Sequence, residues 1–270
     1  MVVLSLSLEE KTDPMDVIVF LIAGFFGIKI LLPGVIGPIL VHSRQKQPAQ
    51  PEFKSFDPSD LDLDITDFFT RSVSAIQEEG FEFLGYTSWS IQDRQRMYFG
   101  LLIHREGGDM GMVVYITSGH EKHPVETRYV EFMSEFTVAR EITTNNSTQI
   151  EVFKKLPERL VFRFPHILSP HLLYLLHRRL KATYAAGWAP LPPPHGREIR
   201  AVHDAIAKEY RKQVRAGYFY LDRDEGVYRP TWKGALLMTW KLIWPFTVFQ
   251  NILVRRRANR LINNLMGEEG

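Results

Sequence analysis

The 270-residue chain contains no cysteine. It therefore cannot form a disulfide or a thiolate metal site, and enzymes with a cysteine nucleophile are excluded. A phosphate-binding loop is also absent, since Gly107 and Gly108 are not followed by Lys and Ser/Thr, and there is no G-x-S-x-G nucleophile sequence. No motif identifies a reaction, and we predict neither a cofactor nor a bound metal.

The nearest approach to a catalytic or metal cluster is the group His120, Glu121 and His123. The metalloprotease sequence H-E-x-x-H places its two histidines four residues apart on one helical face. Here the histidines are three residues apart and lie between Gly119 and Pro124, which favour a loop. The group remains the candidate site of one hypothesis only, an enzyme that uses histidine and carboxylate side chains.

Two other polar patterns do not match known sites. The acidic run at residues 60–67 has Ile65 where a calcium loop needs glycine, so we interpret it as the start of a helix. His166, His171 and His177 are five and six residues apart and do not share a helical face. We expect these three histidines at the surface or at helix ends.

A long apolar run is present near the N-terminus. Residues 17–28 contain no polar side chain, and a helix over residues 15–32 reaches the lower end of the roughly 17 to 25 residues that span a bilayer. Pro33 and Gly34 are expected to end this helix, because proline lacks a donor and disfavours helical geometry before it. The predicted membrane-spanning side chains are Val17, Phe20, Ile22, Phe25, Phe26 and Ile28.

The flanks of this run predict its orientation. A cleaved signal peptide would begin with basic residues, whereas residues 9–16 are acidic and residues 42–46 are basic. By the positive-inside rule, the N-terminus lies outside and the main domain is cytoplasmic. Lys29, one turn from the predicted helix end, can extend its ammonium to the headgroups.

A second apolar segment covers residues 234–254. Lys241 near its middle and Pro245 disfavour a second span, as does the basic cluster that follows it. A helix lying on the membrane surface is the favoured interpretation; a span and a helix packed on the domain are the alternatives. The predicted membrane-interface residues are Lys29, Trp240, Lys241, Trp244, Phe246, Phe249, Arg255, Arg256 and Arg257.

The remaining pattern predicts an α+β fold with five segments. Residues 1–44 hold the anchor, 45–59 form a Pro-rich tether, and 60–189 form an α+β domain. That domain is predicted as a helix, a four- to five-strand antiparallel meander and a second helix, whose Leu172, Leu175, Leu176 and Leu180 face inward. The predicted strands cover residues 81–91, 97–104, 110–118, 128–143 and 160–164. A Pro-rich linker at 190–196 precedes a helix–hairpin–helix unit at 197–270.

The C-terminal unit resembles one known family. The sequence GYFYLDRDEGVYRPTWKGALL at residues 217–237 is similar to the wing hairpin and following helix of winged-helix proteins. The resemblance covers residues 197–237 and implies DNA binding, for which residues 154–215, with 13 Lys+Arg and 4 Asp+Glu, would supply phosphate contacts. The sequence PLPPPHG at 190–196 stands where a complete helix-turn-helix would begin.

Charge is distributed unevenly along the chain. Residues 52–151 hold 8 Lys+Arg and 18 Asp+Glu, whereas residues 154–270 hold 21 Lys+Arg and 9 Asp+Glu. The basic half is expected to meet an anionic lipid surface, nucleic acid or the acidic half of the same chain.

Three hypotheses about function follow. The first is a membrane-anchored, non-enzymatic binding or interaction module at the cytoplasmic face, with anionic headgroups and an unidentified protein or small ligand as partners. The alternative is a membrane-tethered, winged-helix-like DNA-binding regulator. The third is the enzyme described above.

Overall fold

The structure is a computed structural model that describes residues 14–91, 95–119 and 124–267. The chain is 46% helical and 27% strand, and it contains two β-sheets. The predicted mixed helix and strand composition and the long apolar N-terminal helix are both confirmed.

The N-terminal helix is longer than expected. It consists of α1 (Pro14–Phe26), a π-helical turn (Gly27–Leu31) and α2 (Leu32–Arg44). The predicted end at Pro33 is wrong, because Pro33 lies in the first turn of α2, separated by one residue from the π-helical turn. A widened turn accommodates the missing donor and the bulk of a proline without ending the helix.

The main sheet has seven strands, more than the four to five expected. Neighbouring strands are antiparallel, except that the last two are parallel. In spatial order the strands are β2 (Phe53–Ser55), β3 (Glu82–Ile91), β4 (Gln95–His104), β5 (Asp109–Ser118), β6 (Val125–Phe136), β7 (Arg140–Asn145) and β8 (Arg159–Arg163). The single strand expected at 128–143 is divided by a turn in which Ala139 has a positive φ of 57°.

Two helices cover the first face of the main sheet. In α3 (Leu63–Gln77), Ile65, Phe69, Val73 and Ile76 recur at helical spacing and are buried. The inward face of α4 (Pro170–Tyr184) is not the one expected from its leucines. Its buried side chains are Leu173, Tyr174, Leu176, His177 and Leu180. The expected stripe is rotated because Tyr174 and His177 also lie inside.

A helix and a small sheet cover the second face. The helix is α5 (Glu198–Arg215), and the sheet pairs β1 (Gln47–Pro48) with β10 (Val227–Pro230) and β10 with β9 (Phe219–Asp222). Residues 45–59, expected as a tether, thus supply a strand to each sheet. The Pro-rich segment at 190–196 also contacts the main sheet, since the Leu191 amide donates to the Glu135 carbonyl at 2.8 Å.

The last two helices connect the domain to the N-terminal helix. Thr231 caps α6 (Trp232–Leu242) by accepting from the Gly234 amide at 3.1 Å, and a Cβ atom on Gly234 would overlap the Tyr218 carbonyl. In α7 (Phe246–Met266), the second half packs on the first face of the sheet through Ala258 and neighbouring apolar side chains.

α2 and α6 are antiparallel and in close contact. A Cβ atom built on Gly34 lies 3.8 Å from Ile243, one on Gly37 would overlap the Thr239 side chain, and the rings of His42 and Trp232 stack at 4.2 Å. Glycine at position 37 lets the two backbones approach, as small residues do between packed helices.

We predict that Gly37→Cys and Thr239→Cys together form a disulfide. A Cβ atom on Gly37 lies 3.5 Å from Thr239 Cβ, inside the range of about 3.5 to 4.5 Å that disulfides need. Oxidation of the full chain, followed by mass spectrometry of the linked peptides, measures the yield without background because the chain has no other cysteine. The control pairs Gly27→Cys with Thr239→Cys, since nothing lies within 4 Å of a Cβ atom on Gly27. Equal yields from the two pairs would contradict the packing.

Candidate membrane surface and internal cavity

The N-terminal helix presents its apolar side chains outward. The six predicted membrane-spanning residues are 45% to 82% exposed, and the most apolar 18-residue window of the helix over Met15–Arg44 is not buried at all. Lys29 lies on the same exposed surface. By its length and hydropathy, this helix can span a membrane.

A stripe of large apolar side chains continues this surface onto the domain. Trp232, Leu236 and Trp240 recur every fourth residue on α6 and are each more than half exposed. We call these three residues, with Trp244 and Phe249, the outer stripe. The Trp244 ring lies 5.9 Å from the rings of both Phe25 and Phe26, so the helix and the stripe form one continuous apolar surface.

The cations predicted at the membrane interface separate into two groups. Arg255, Arg256 and Arg257 are exposed and directly precede the buried Ala258. Lys241 instead turns toward the domain, where its ammonium donates to the carbonyl of Glu151 at 2.9 Å and to that of Phe153. These carbonyls explain how a lysine can occupy an apolar segment. Burial lowers the pKa of Lys241.

The predicted aromatic interface residues have different exposures. Trp240, Trp244 and Phe249 are exposed, whereas Phe246 is half-buried with its ring 4.6 Å from that of Trp240. Phe246 therefore packs against Trp240 of the outer stripe.

The candidate cluster His120, Glu121 and His123 lies outside the described residues. Within the ranges described, no group of three histidine, aspartate or glutamate side chains is placed to hold a metal ion. Of the three other histidines considered, His166 and His171 are exposed as expected, but His177 is fully buried.

His177 belongs to a buried polar network that the sequence did not reveal. The Ser134 hydroxyl donates to Asp109 Oδ1 at 2.6 Å and lies 2.8 Å from His177 Nε2, while His177 Nδ1 lies 2.9 Å from the Thr144 hydroxyl. Because the single Ser134 proton is directed to Asp109, His177 donates from Nε2 and accepts from Thr144. Lys181 also pairs with Asp109.

This network is not arranged as a nucleophile site. In a catalytic triad the serine gives its proton to the histidine, whereas Ser134 gives its proton to Asp109. Ser134 and Asp109 are each 1% exposed and His177 is 0% exposed, so no substrate reaches them. The network instead joins β5, β6 and β7 to α4.

A cavity of about 380 Å³ lies between the main sheet and α5. Met97, Met112 and Met133 form much of its floor, and Val202 and Ile206 form part of its roof. An adjoining cavity of about 290 Å³ under residues 191–194 shares Met133 and Val202 with it. Together they form an elongated, mainly apolar space of the size that small ligands occupy.

One end of the cavity is charged. Glu131 on β6 is buried and accepts from the Asn145 amide at 2.8 Å, and Arg159 Nε donates to Glu141 at 2.8 Å. Burial raises the pKa of Glu131, while Arg159 and the Asn145 hydrogen bond act in the opposite direction. The alternation of Tyr129, Glu131 and Met133 along a strand was the only sequence signal for this arrangement.

The chain matches no protein-family model, no curated protein sequence and no solved structure. The two sites are therefore interpreted from their own residues.

We predict that the free energy of unfolding decreases as the pH falls from about 6.5 to about 4. Burial lowers the pKa of His177 from 6.5 to about 4, with Lys181 adding to the effect and Asp109 opposing it. Between these values the unfolded chain binds the additional proton, so acid favours unfolding, by up to about 3 kcal/mol. Denaturant unfolding of the full chain in micelles at several pH values measures the slope.

The matched variants for this test are His177→Gln and His166→Gln. His177→Gln is expected to remove most of the slope, and His166→Gln, which replaces an exposed histidine outside this network, is the control for the substitution itself. A slope that survives in His177→Gln would contradict the assignment.

Proposed function

We propose that this chain is a membrane-anchored, non-enzymatic binding module whose domain is seated on the cytoplasmic face of the bilayer. The observation that carries the proposal is the continuous apolar surface formed by the N-terminal helix and the outer stripe. A soluble domain rarely exposes such a contiguous apolar surface without a membrane or protein to cover it.

Helix length supports a seat at the membrane surface. The helix over Met15–Arg44 has 30 residues, or roughly 45 Å, whereas the hydrocarbon core of a bilayer is about 30 Å thick. About one third of the helix therefore lies beyond the core, and this end contacts α6 through Gly37. Trp232 lies beside this end, stacked on His42, whereas Trp244 contacts Phe25 and Phe26 within the core. Tryptophan side chains favour the boundary because one part of the ring system is apolar and the other forms hydrogen bonds.

The basic residues support a cytoplasmic domain and anionic lipid. His42, Arg44 and Lys46 flank the domain end of the helix. Arg255, Arg256 and Arg257 follow the exposed half of α7. Both groups of cations lie on the domain side, as the positive-inside rule requires, and each exposed arginine is attracted to acidic headgroups.

The winged-helix alternative receives less support from the contacts of α5. α5 packs over the cavity, and its Lys208 and Lys212 lie 3.4 Å from Glu135 and 3.9 Å from Glu158. Cations that are paired with the same chain are less available to phosphates.

Trp240 is expected to be quenched by brominated lipids, because it is exposed on the part of the outer stripe that faces the bilayer. The experiment uses full-length chain in nanodiscs, with a variant that retains Trp240 alone among the five tryptophans. A variant that retains only Trp188, which lies outside the outer stripe and packs edge-to-face against Phe136, serves as the control. Equal quenching of Trp240 and Trp188, or no quenching of Trp240, would rule out the proposed position of the domain on the membrane.

Orientation is tested with single cysteines. Leu168, which is 80% exposed on the domain, is replaced by Cys. We expect an impermeant maleimide to label it only after cells are permeabilised, because the domain is cytoplasmic. Ser5→Cys, before the helix, should be labelled in intact cells. The reverse pattern would invert the topology.

A further inference from the structure

The cavity under α5 holds more buried negative charge than positive charge. Arg159 is paired with Glu141, and Lys208 and Lys212 are paired with other carboxylates. Glu131 forms no ion pair within the described residues and accepts only the Asn145 amide. Arg159 attracts both Glu131 and Glu141, so two carboxylates share one guanidinium at this end, and a bound cation would balance the second carboxylate.

Two further polar atoms at the cavity are left without partners. Gln47 Oε1 and Trp89 Nε1 have no hydrogen-bonding partner among the described residues, and their side chains are only 6% and 4% exposed. Both residues line the cavity. Trp89 is on β3, three strands from Glu131, or about 14 Å away. These two atoms make the β3 end of the cavity polar, opposite the charged end at Glu131.

The space between the two ends is apolar and adaptable. Met97, Met112 and Met133 line the floor between β3 and β6. Methionine side chains are flexible and polarizable, so they fit apolar groups of different shapes. The adjoining cavity under the Pro-rich segment lengthens this path.

We propose that the cavity binds an aliphatic amine, with its ammonium at Glu131 and its hydrocarbon chain along the three methionines. A carboxylate-bearing amphiphile fits less well, because Arg159 is already occupied by Glu141. This inference rests on the proposed function only in treating the domain as a binding module. Ligand binding and membrane seating are measured by separate signals, so either can fail alone.

The test compares hexylamine, 1-hexanol and hexanoate, which share one chain length and differ in head charge. Each is titrated calorimetrically into full-length chain in neutral phosphatidylcholine nanodiscs, and the signal from empty nanodiscs is subtracted. We expect hexylamine to bind about tenfold or more tightly than hexanoate, with hexanol between them.

One variant tests whether Glu131 contacts the ammonium of the ligand, and another tests whether the hydrocarbon chain lies in the cavity. Glu131→Gln keeps an acceptor for Asn145, and we expect it to weaken hexylamine binding about tenfold while changing hexanol binding less than about twofold. Glu135→Gln is the matched control, since Glu135 lines the same cavity but is paired with Lys208. Ala205→Phe fills the cavity and should abolish binding of all three compounds, whereas Ala207→Phe on the same helix should not.

Each result has a clear meaning. An amine preference that is lost in Glu131→Gln and a block by Ala205→Phe support the proposal. Preference for hexanoate, or an unchanged amine affinity in Glu131→Gln, would contradict the placement of the ammonium at Glu131. Absence of binding, or binding that Ala205→Phe does not affect, overturns the site, while Trp240 quenching still reports on the membrane seat.

Discussion

The close approach of α2 and α6 at Gly37 and Thr239 is the contact on which the arrangement of the molecule depends. It brings the outer stripe beside the apolar helix and aligns His42 with Trp232. Because β1 follows α2 directly and pairs with β10, the same contact positions the small sheet that packs against α5.

The uneven charge of the sequence is partly balanced inside the fold. Cations from the basic half pair with carboxylates from the acidic half, as Arg159 does with Glu141 and Lys208 with Glu135. Other cations, such as Arg255 to Arg257, have no such partner within the described residues and face outward. Net charge along a chain thus does not reveal the surface on which a partner binds; the cations that remain exposed do.

Local patterns were sufficient for some elements and insufficient for others. The apolar helix and the inward face of α3 follow from hydropathy and helical spacing, which depend on neighbouring residues only. The position of His177 depends on Ser134 and Thr144, far away in the sequence, so spacing on its own helix suggested a surface residue. The predicted helix end at Pro33 was wrong because a π-helical turn just before a proline lets the helix continue through it. The cavity requires strands β3 to β8 and α5 together, and no single segment carries that information.

Only two residues separate the end of α2 from the start of β1. Because the helix is joined so closely to a sheet, a change in the tilt of the helix would rotate the attached domain. Helices tilt when the thickness of the surrounding bilayer changes, at a cost of fractions of a kcal/mol per ångström. In the proposed membrane seat, the angle at which the domain meets the headgroups, and with it the burial of the outer stripe, would therefore depend on the thickness of the membrane.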